Sequence, residues 1–497
     1  MSSPSIPGEP SQPVLSAKER LLARIRAGMA RAESANAMLS TPLLPPASWA
    51  PDQAYLPGDV VRGAGDQSPH QYIAILAGGR SAASGAGPTG AGMGPIQDGG
   101  VTWYYDREVR TRQASADAPE VSWGLRADLL KAVPGYQTIT PTLNDPVVFF
   151  SGGVVQNDPN MPKPVVTVLG SNFSLSSTPR YQAPSSAAVT FWTNSSRVVM
   201  GSFNSIYARQ RLVIEVNDRL LSDGQVSVPM GTSPINPGGF LLDFSKVPNK
   251  TAMKKVRVLS TDGFSISAYQ FFIEPGTTLV SQPNADRWKL AVEGDSLTQG
   301  GYNSPYHAGL DWVTQAGRLL GCDDVANMAQ GGTGFIADNG GKKTNYLQRV
   351  ERLAALNADV YLIAGNHNDS SYPAQEQIDA ALAYFKRLRE LQPQALIVVA
   401  GTNPLQGEST VSGPIVDAER NLRKAFDAWA DANAYFLPVT TDPDGPWITG
   451  SGAVDKPKGD GNMEQYYISV DGHPLQRGVN YFAQRYAQAL KKLFQAE

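Results

Sequence analysis

The sequence predicts a multidomain chain: a C-terminal α/β domain of three layers around a parallel sheet, preceded by an all-β sandwich and by a small β module with a leading helix. Three observations carry that expectation. Toward the C-terminus, apolar runs such as Asp359-Val-Tyr-Leu-Ile-Ala364 and Ala395 to Ala400 alternate with helical periodicity and lack polar alternation, the pattern of strands buried on both faces between helices. From Val147 to Pro275 the pattern is instead alternation and β-branched runs, with turn residues between them and no long helical stretch. A chain of 497 residues is long enough for about three domains.

Composition narrows the function classes. Charged residues make up 18% of the chain and the net charge is -3, so no basic excess points to nucleic acid as a partner. The single cysteine, Cys322, rules out an intramolecular disulfide and a cysteine-rich metal cluster, and is expected to be a small core residue in a strand. The four histidines, His70, His307, His367 and His473, lack metal-ligand spacing, so neither a metal nor another cofactor is expected. Met1 is not followed by a charged and then an apolar segment, and no apolar run is long enough to span a bilayer. The expectation is a protein made in the cytoplasm without the usual export signal and without membrane insertion.

Residues 1–45 comprise a Ser/Pro-rich start and a helix. Ser16-Ala-Lys-Glu19 reads as a capping box, and Leu21, Leu22, Ile25 and Met29 recur at helical spacing up to about Asn36. So narrow a stripe cannot form a core alone; it packs against a copy of itself, a partner surface or the next domain of its own chain. Residues 46–106 read as short strands separated by Gly-Asp turns, with Trp49, Tyr55, Tyr72 and Trp103 at their edges. This stretch resembles the carbohydrate-binding-module-like repeats of phage tail and capsid proteins. Its four aromatics either form a stacking face for sugars or fill the core of a small domain.

Residues 107–140 read as a connector with a short helix at Gly124 to Ala132. Residues 141–283 carry about eight strands, among them Ala188-Val-Thr-Phe-Trp192 and Lys255-Val-Arg-Val-Leu259, and are expected to form a sandwich of jelly-roll type. Its layout is similar to that of several polysaccharide esterases; a spacer without a ligand is the alternative. Residues 284–497 form the α/β domain, with helices expected at Asp311 to Leu320, Tyr346 to Leu356, Ala374 to Leu391, Ile415 to Ala432 and after Pro474.

The chemistry-bearing residues fall in four loops of that domain. Leu290 to Val292 read as a buried strand, and Gly294-Asp-Ser ends it so that Ser296 emerges where an open α/β sheet places its site. A serine hydroxyl needs a base to take its proton and donors for the oxyanion it generates. Asn327-Met-Ala-Gln-Gly-Gly-Thr-Gly334 supplies the glycines a closely approaching backbone amide requires. Gly365-Asn-His-Asn-Asp369 follows the Asp359 strand, and Val470-Asp-Gly-His-Pro474 precedes the closing helix.

Those four blocks resemble the SGNH hydrolases, or GDSL esterases, over residues 288–497. The resemblance implies a flavodoxin-like three-layer fold, with Ser296 as nucleophile, His473 as general base and Asp471 orienting the imidazole. It implies an oxyanion hole made of the Ser296 amide, the Gly332 amide (Gly331 is the alternative) and the Asn368 side chain. Two blocks depart from the family pattern. Gly-x-Asn-Asp stands here as Gly365-Asn-His-Asn-Asp, and Asp-x-x-His stands as Asp471-Gly-His473, one residue shorter, so a backbone carbonyl is an alternative partner for His473. His367 is a candidate substrate contact. The loop from Thr440 to Val470, with Trp447, Tyr466 and Tyr467, is a candidate substrate wall or else a surface insertion.

The function these readings favour is a phage tail or tailspike esterase that removes O-acyl groups, notably O-acetyl, from a bacterial surface polysaccharide. Its partners would be that glycan and other virion tail proteins through the N-terminal region, in an assembly for which the helix permits a homotrimer, located in the virion or alternatively in the cytoplasm. The alternatives are a cellular esterase or lipase acting on small or lipid esters, and a non-catalytic, glycan-binding structural tail protein.

Overall fold

The structure is a computed structural model that describes residues 16–39, 48–55, 60–63, 70–77, 80–85, 87–89, 96–108, 119–141, 148–151, 154–157, 166–169, 187–202, 209–217, 219–220, 226–229, 238–260, 266–268, 270–281, 287–299, 311–322, 324–454, 456–469 and 472–496.

The C-terminal domain is built on five strands, β1 (Lys289–Gly294), β2 (Asp324–Asn327), β3 (Val360–Ala364), β4 (Leu396–Ala400) and β5 (Ala434–Leu437). They pair in parallel in the order β2-β1-β3-β4-β5. Every residue of β3 and β4 is buried, as strands covered on both faces require. Side chains alternate between the two faces. Leu290, Val292, Val360, Leu362 and Val398 pack on one side with Trp312, Phe482, Tyr486 and Leu490. Ala291, Tyr361, Ile363, Ile397 and Val399 pack on the other with Tyr384, Phe385, Leu388 and Leu422.

Among the described residues, five helices of eight residues or more bear on this sheet, α1 (Ala17–Leu39), α2 (Trp312–Leu319), α3 (Ala374–Leu391), α4 (Pro414–Trp429) and α5 (Gln476–Ala496), and the short helix Val350–Ala354, within the expected Tyr346 to Leu356, packs beside Tyr361 and Ile363. The layer of α2 and α5 covers the first face and that of α3 and α4 the second. Helix α1 comes from the far end of the chain, and its capping box forms: Ser16 N–H donates to Glu19 Oε2 at 2.6 Å and Glu19 N–H to Ser16 Oγ at 3.2 Å. Leu21, Leu22, Ile25 and Met29 all enter the core shared by Trp288, Cys322 and Phe494. Each such side chain contributes about 1.5–3 kcal/mol by leaving water. Arg24 extends the contact, donating to Arg287 O at 3.1 Å and to Asp359 Oδ1 at 2.7 Å. Docking on its own chain is therefore what occupies the stripe, which is not available to a second copy or a tail partner. Cys322 is buried as expected, but in the turn before β2 rather than in a strand, with its Sγ–H on Trp288 O at 3.2 Å.

Among the described residues the preceding region forms a small antiparallel sheet of Val154–Asn157, Val166–Leu169 and Ile266–Ala268, and two large ones that share one core. One has Arg209–Val216, Lys254–Ser260 and Ala188–Thr193 at its centre; the other runs Glu120–Leu125, Gly238–Asp243, Arg197–Ser202, Gln270–Ile273, Gln137–Ile139. Phe191, Ile214, Val256 and Val258 from the first meet Val198, Met200, Phe240 and Phe271 from the second. Two of these strands lie in the stretch expected to be a connector, so the sandwich begins near Glu120; the expected short helix is present as Arg126–Leu129, continued by a 3-10 turn at Leu130–Ala132. The shortness of Gln137–Ile139 hid it from pattern reading. Glu215 of the sandwich forms an ion pair with Arg318 of α2, joining the two domains.

In the N-terminal module, His70–Ala77 pairs with Val60–Arg62 and Val101–Glu108, and Val101–Glu108 with Ile96–Asp98. Its aromatics are core. Tyr72 and Trp103 are fully buried, and both Trp49 and Trp103 donate their indole N–H to Asp98 Oδ2, at 2.7 and 2.9 Å. Tyr55 packs edge-on against Trp103 at 4.9 Å between ring centroids. Of the two alternatives the core is the one found: these rings are turned inward, the two indoles onto one carboxylate, because a unit this small has few other side chains with which to build a core.

Candidate active site

Strand order reverses direction at β1, and the loops leaving β1 and β3 sit side by side there, the crevice where open α/β sheets bind ligands. Strand β1 ends in Gly294, where a Cβ would come within 2.8 Å of Ala364 O on β3, so the crossing of the two chains demands glycine. Asp295 then caps the short helix Ser296–Gln299, accepting the Leu297 N–H at 2.9 Å. Ser296 opens that helix.

From 177 positions away, the His473 Nε2 lies 2.9 Å from Ser296 Oγ, with both side chains buried. The histidine loop is held from several directions: Gln406 N–H donates to Gly472 O at 2.9 Å, and Leu475 N–H to Tyr466 O at 2.7 Å just before α5. Asp471, expected to orient the imidazole, lies outside the described residues.

A carboxylate that sequence reading left without a role stands beside this pair. Burial pushes Asp295 up to about 6, opposed by the Leu297 amide and by the nearby His473. Among the described residues its Oδ2 has no hydrogen-bond partner, and it lies under Gly365 at φ +88°, where a Cβ would approach to 3.3 Å; the His367 amide lowers the pKa from nearby without reaching bonding geometry. His367 is itself buried and pulled down to about 4 by desolvation and by His473. Its Nδ1 is 3.4 Å from Glu408 Oε2 yet makes no hydrogen bond among the described residues. A neutral imidazole cannot form an ion pair, so this contact is a packing contact near neutral pH.

The two candidate amides of the glycine loop after β2 differ in their surroundings. The Gly331 N–H is taken by Gln299 Oε1 on the Ser296 helix, whereas no hydrogen bond among the described residues takes up the Gly332 or Ser296 N–H. Gly332 has φ +75°, which favours glycine. Asn368 Nδ2 donates to Thr333 O at 3.0 Å, placing its amide against the same loop and leaving a second N–H. Asp369 fastens the loop from behind, accepting the N–H groups of Phe335, Ile336 and Ala337 at 2.7, 3.2 and 2.9 Å. The Asn that displaces the family's glycine has a structural job: Asn366 is buried, donates to Ala418 O at 3.1 Å and accepts from Thr402 Oγ1.

Beneath β1, Glu293 and Arg349 form a buried bidentate pair at 2.7 and 3.0 Å, and Arg349 also donates to Gly294 O at 3.3 Å. Burial raises the Glu293 pKa while Arg349 opposes the shift. The pair holds the strand end from which Asp295 and Ser296 project.

Of the three aromatics expected to wall a substrate site, Trp447 and Tyr467 are turned into the core. Trp447 is 1% exposed, donates its indole N–H to Asp442 Oδ2 at 2.7 Å and packs on Tyr486, and Tyr467 is 0% exposed with its hydroxyl on Pro404 O at 2.9 Å. Both are core. Tyr466 is half-buried, stacked on Tyr481 at 4.5 Å. Residues 440–469 lack long elements but are ordered by buried polar hubs. Glu419 accepts the Val439, Thr440 and Thr441 N–H groups at 3.0, 2.8 and 2.9 Å, and Asn462 Oδ1 accepts the Thr449 N–H at 2.8 Å. No pattern of spacing announces such hubs.

A serine hydroxyl in proton-transfer distance of an imidazole at the switch point of a three-layer parallel sheet defines the class: an ester hydrolase of the α/β type. Residues 292–479 match the GDSL-like Lipase/Acylhydrolase family. The C-terminal domain is accordingly a GDSL/SGNH hydrolase domain, and the chain a carboxylic ester hydrolase. No curated protein sequence matches the chain. Its structure is similar to that of an acetyl xylan esterase from the rumen bacterium Butyrivibrio proteoclasticus, at 13% identity over 72% of this chain and 99% of that one, with a TM-score of 0.50. It is similar to a family two carbohydrate esterase from Cellvibrio japonicus, at 15% identity over 72% and 99% with a TM-score of 0.48. It is also similar to a salicylyl-acyltransferase from a tetracycline biosynthetic pathway, at 16% identity over 72% and 98% with a TM-score of 0.49. At 13% identity the likeness to the acetyl xylan esterase is one of fold. Among the described residues no group of His, Cys, Asp and Glu side chains is placed to hold a metal ion, and no helix is long and apolar enough to cross a membrane.

Proposed function

We propose that the chain is a serine esterase that removes O-acyl groups, O-acetyl above all, from a polysaccharide. The observation that carries the mechanism is the 2.9 Å contact between Ser296 Oγ and His473 Nε2. As Oγ bonds to the ester carbonyl carbon, its proton passes to His473, and the carbonyl electron pair becomes an oxyanion held by the Ser296 and Gly332 N–H groups and the Asn368 amide. Each such donor contributes about 3 kcal/mol to the transition state. Collapse breaks the bond to the sugar oxygen, which takes the proton from His473. Water then gives its proton to the same imidazole, attacks the acyl-serine and releases the acid.

Support for a glycan ester comes from layout: a β-sandwich, read as jelly-roll-like, leads directly into the Ser296 strand, in a fold shared with an acetyl xylan esterase. The place of action we propose is a phage tail, resting on the likeness of residues 46–106 to tail-protein modules, with the glycan of a host surface as substrate. Attachment to other tail proteins, and any trimer, would have to use surfaces other than the apolar stripe of α1.

The test is acetate release from acetylated polysaccharide compared with p-nitrophenyl esters of increasing chain length, with Ser296→Ala alongside. Serine-dependent release from the glycan supports the proposal. Activity confined to long acyl chains points to a lipid esterase, and none on any ester to a binding protein.

A further inference from the structure

The Gly331–Gly332 peptide is gripped at its carbonyl end by a cation. Lys343 Nζ, returning from the far limb of the glycine loop, donates to Gly331 O. In a planar trans peptide the C=O and the following N–H point in opposite directions. A lysine on Gly331 O therefore turns the Gly332 N–H away from itself, and that N–H is one with no hydrogen-bond partner among the described residues. The peptide before it is fixed independently, its N–H taken by Gln299 of the Ser296 helix, and Thr333 O one residue later is held by Asn368. Three side chains from three segments thus clamp three successive points of the loop, and Lys343 is the charged one.

We infer that Lys343 is a positioning residue for the oxyanion hole: it sets the direction of the Gly332 N–H and, by polarising the shared peptide, strengthens it as a donor. The inference rests on the esterase reading above. A charge on the carbonyl oxygen draws electron density across the amide and leaves its N–H more positive, as in any chain of polarised hydrogen bonds. The lysine is not in bulk water: burial, followed by the charge of Arg349, pulls its pKa below the usual lysine value. An ammonium held where it is costly, on one backbone carbonyl, is placed for that carbonyl. The loop's return makes this possible, with Lys343 N–H on Asp338 O at 2.9 Å and Tyr346 N–H on Gly334 O at 2.8 Å bringing the two limbs together.

The test measures kcat and KM on p-nitrophenyl acetate for wild type, Lys343→Met and Lys343→Arg, with the melting temperature of each and a crystal structure of Lys343→Met. The expected result is a kcat about 10- to 100-fold lower in Lys343→Met, since a whole oxyanion donor is worth about 100- to 1,000-fold. KM and melting should stay close to wild type, Lys343→Arg should recover most of the rate, and the Gly331–Gly332 peptide should be rotated in the Met variant. A kcat within about 2-fold of wild type in Lys343→Met overturns the inference. So does a loss that Lys343→Arg shares in full or that tracks unfolding, since a merely structural lysine would give either. If the wild-type protein hydrolyses no ester, the esterase reading falls separately. The crystal structure then decides: a rotated peptide keeps the positioning role and an unmoved one removes it.

Discussion

The Asp369 carboxylate occupies the space that a side chain on Gly334 would need, and from there accepts the Phe335 N–H at 2.7 Å. Glycine at 334 and aspartate at 369 are thus one device, by which the loop after β3 holds the loop after β2. Asp369→Ala leaves three buried N–H groups without acceptors, at about 1–3 kcal/mol each as an upper range. The expected outcome is a loss of about 3 kcal/mol or more in urea unfolding, together with a kcat drop as the Gly332 amide loses its place. Unchanged stability would mean that the loop is held some other way.

The N-terminal helix belongs to the hydrolase core. Leu22→Ala and Ile25→Ala should each cost about 2–4 kcal/mol, as large-to-small changes at fully packed sites do, and the loss should appear in the unfolding transition of the C-terminal domain, followed by loss of esterase activity in urea. A fragment of residues 284–497 alone should expose Trp288, Cys322 and Phe494 and aggregate. Full stability of either variant would show the contact to be incidental.

Trp447 distinguishes core from substrate wall by a split between stability and affinity. Trp447→Ala is expected to cost about 3–5 kcal/mol while leaving KM for a soluble acetyl ester unchanged in the protein that remains folded. A raised KM with normal stability would restore the substrate-wall reading.

Asp295 makes stability fall as pH rises through the weakly acidic range. Its folded pKa is raised from 3.8 to about 6, so between those values the folded state keeps a proton that the unfolded state has lost. Stability from this group is fully present below pH 3.8 and is lost by about pH 6, a change of about 3 kcal/mol as an order of magnitude. Asp295→Asn keeps an acceptor for the Leu297 N–H and should remove that fall, so that stability rises with pH relative to wild type, measured by urea unfolding between pH 4 and 7. It should also lower kcat/KM above pH 6, where the wild-type carboxylate favours the imidazolium that forms on His473. A variant whose curve keeps the wild-type slope would contradict the assignment. His367, lowered on folding from 6.5 to about 4, acts with the opposite sign, its contribution rising with pH over that window, so His367→Asn should steepen the fall that Asp295 produces.

What could be read from the residues was whatever repeats or punctuates. The strands of the α/β domain show as apolar runs, the helices as 3.6-residue periodicity, and Ser296, Asn368 and His473 stand at breaks between them. The positions that escaped do so for physical reasons. Glu293, Arg349, Asp369 and Glu419 are buried charged groups whose partners lie far away in sequence, so no local spacing reveals them. Trp49, Trp103, Trp447 and Tyr467 look from the sequence like binding aromatics, because a ring in a glycine-rich loop has the same composition whether it faces solvent or core. Only the acceptors Asp98, Asp442 and Pro404 O, placed by the fold, show which way each ring turns. The helix stripe was visible at once, but its surface of docking was set by residues more than 250 positions away, Arg287 and Asp359 among them.

The most direct test of the catalytic pair is intact-mass and peptide mapping after reaction with a p-nitrophenyl phosphonate, which traps a serine that shares its proton with a base. Wild-type protein should gain a single phosphonyl group on Ser296, Ser296→Ala none, and His473→Ala the same adduct at a rate lower by about 1,000-fold or more. An adduct on another residue, or labelling of Ser296 at an unchanged rate without His473, would contradict the account.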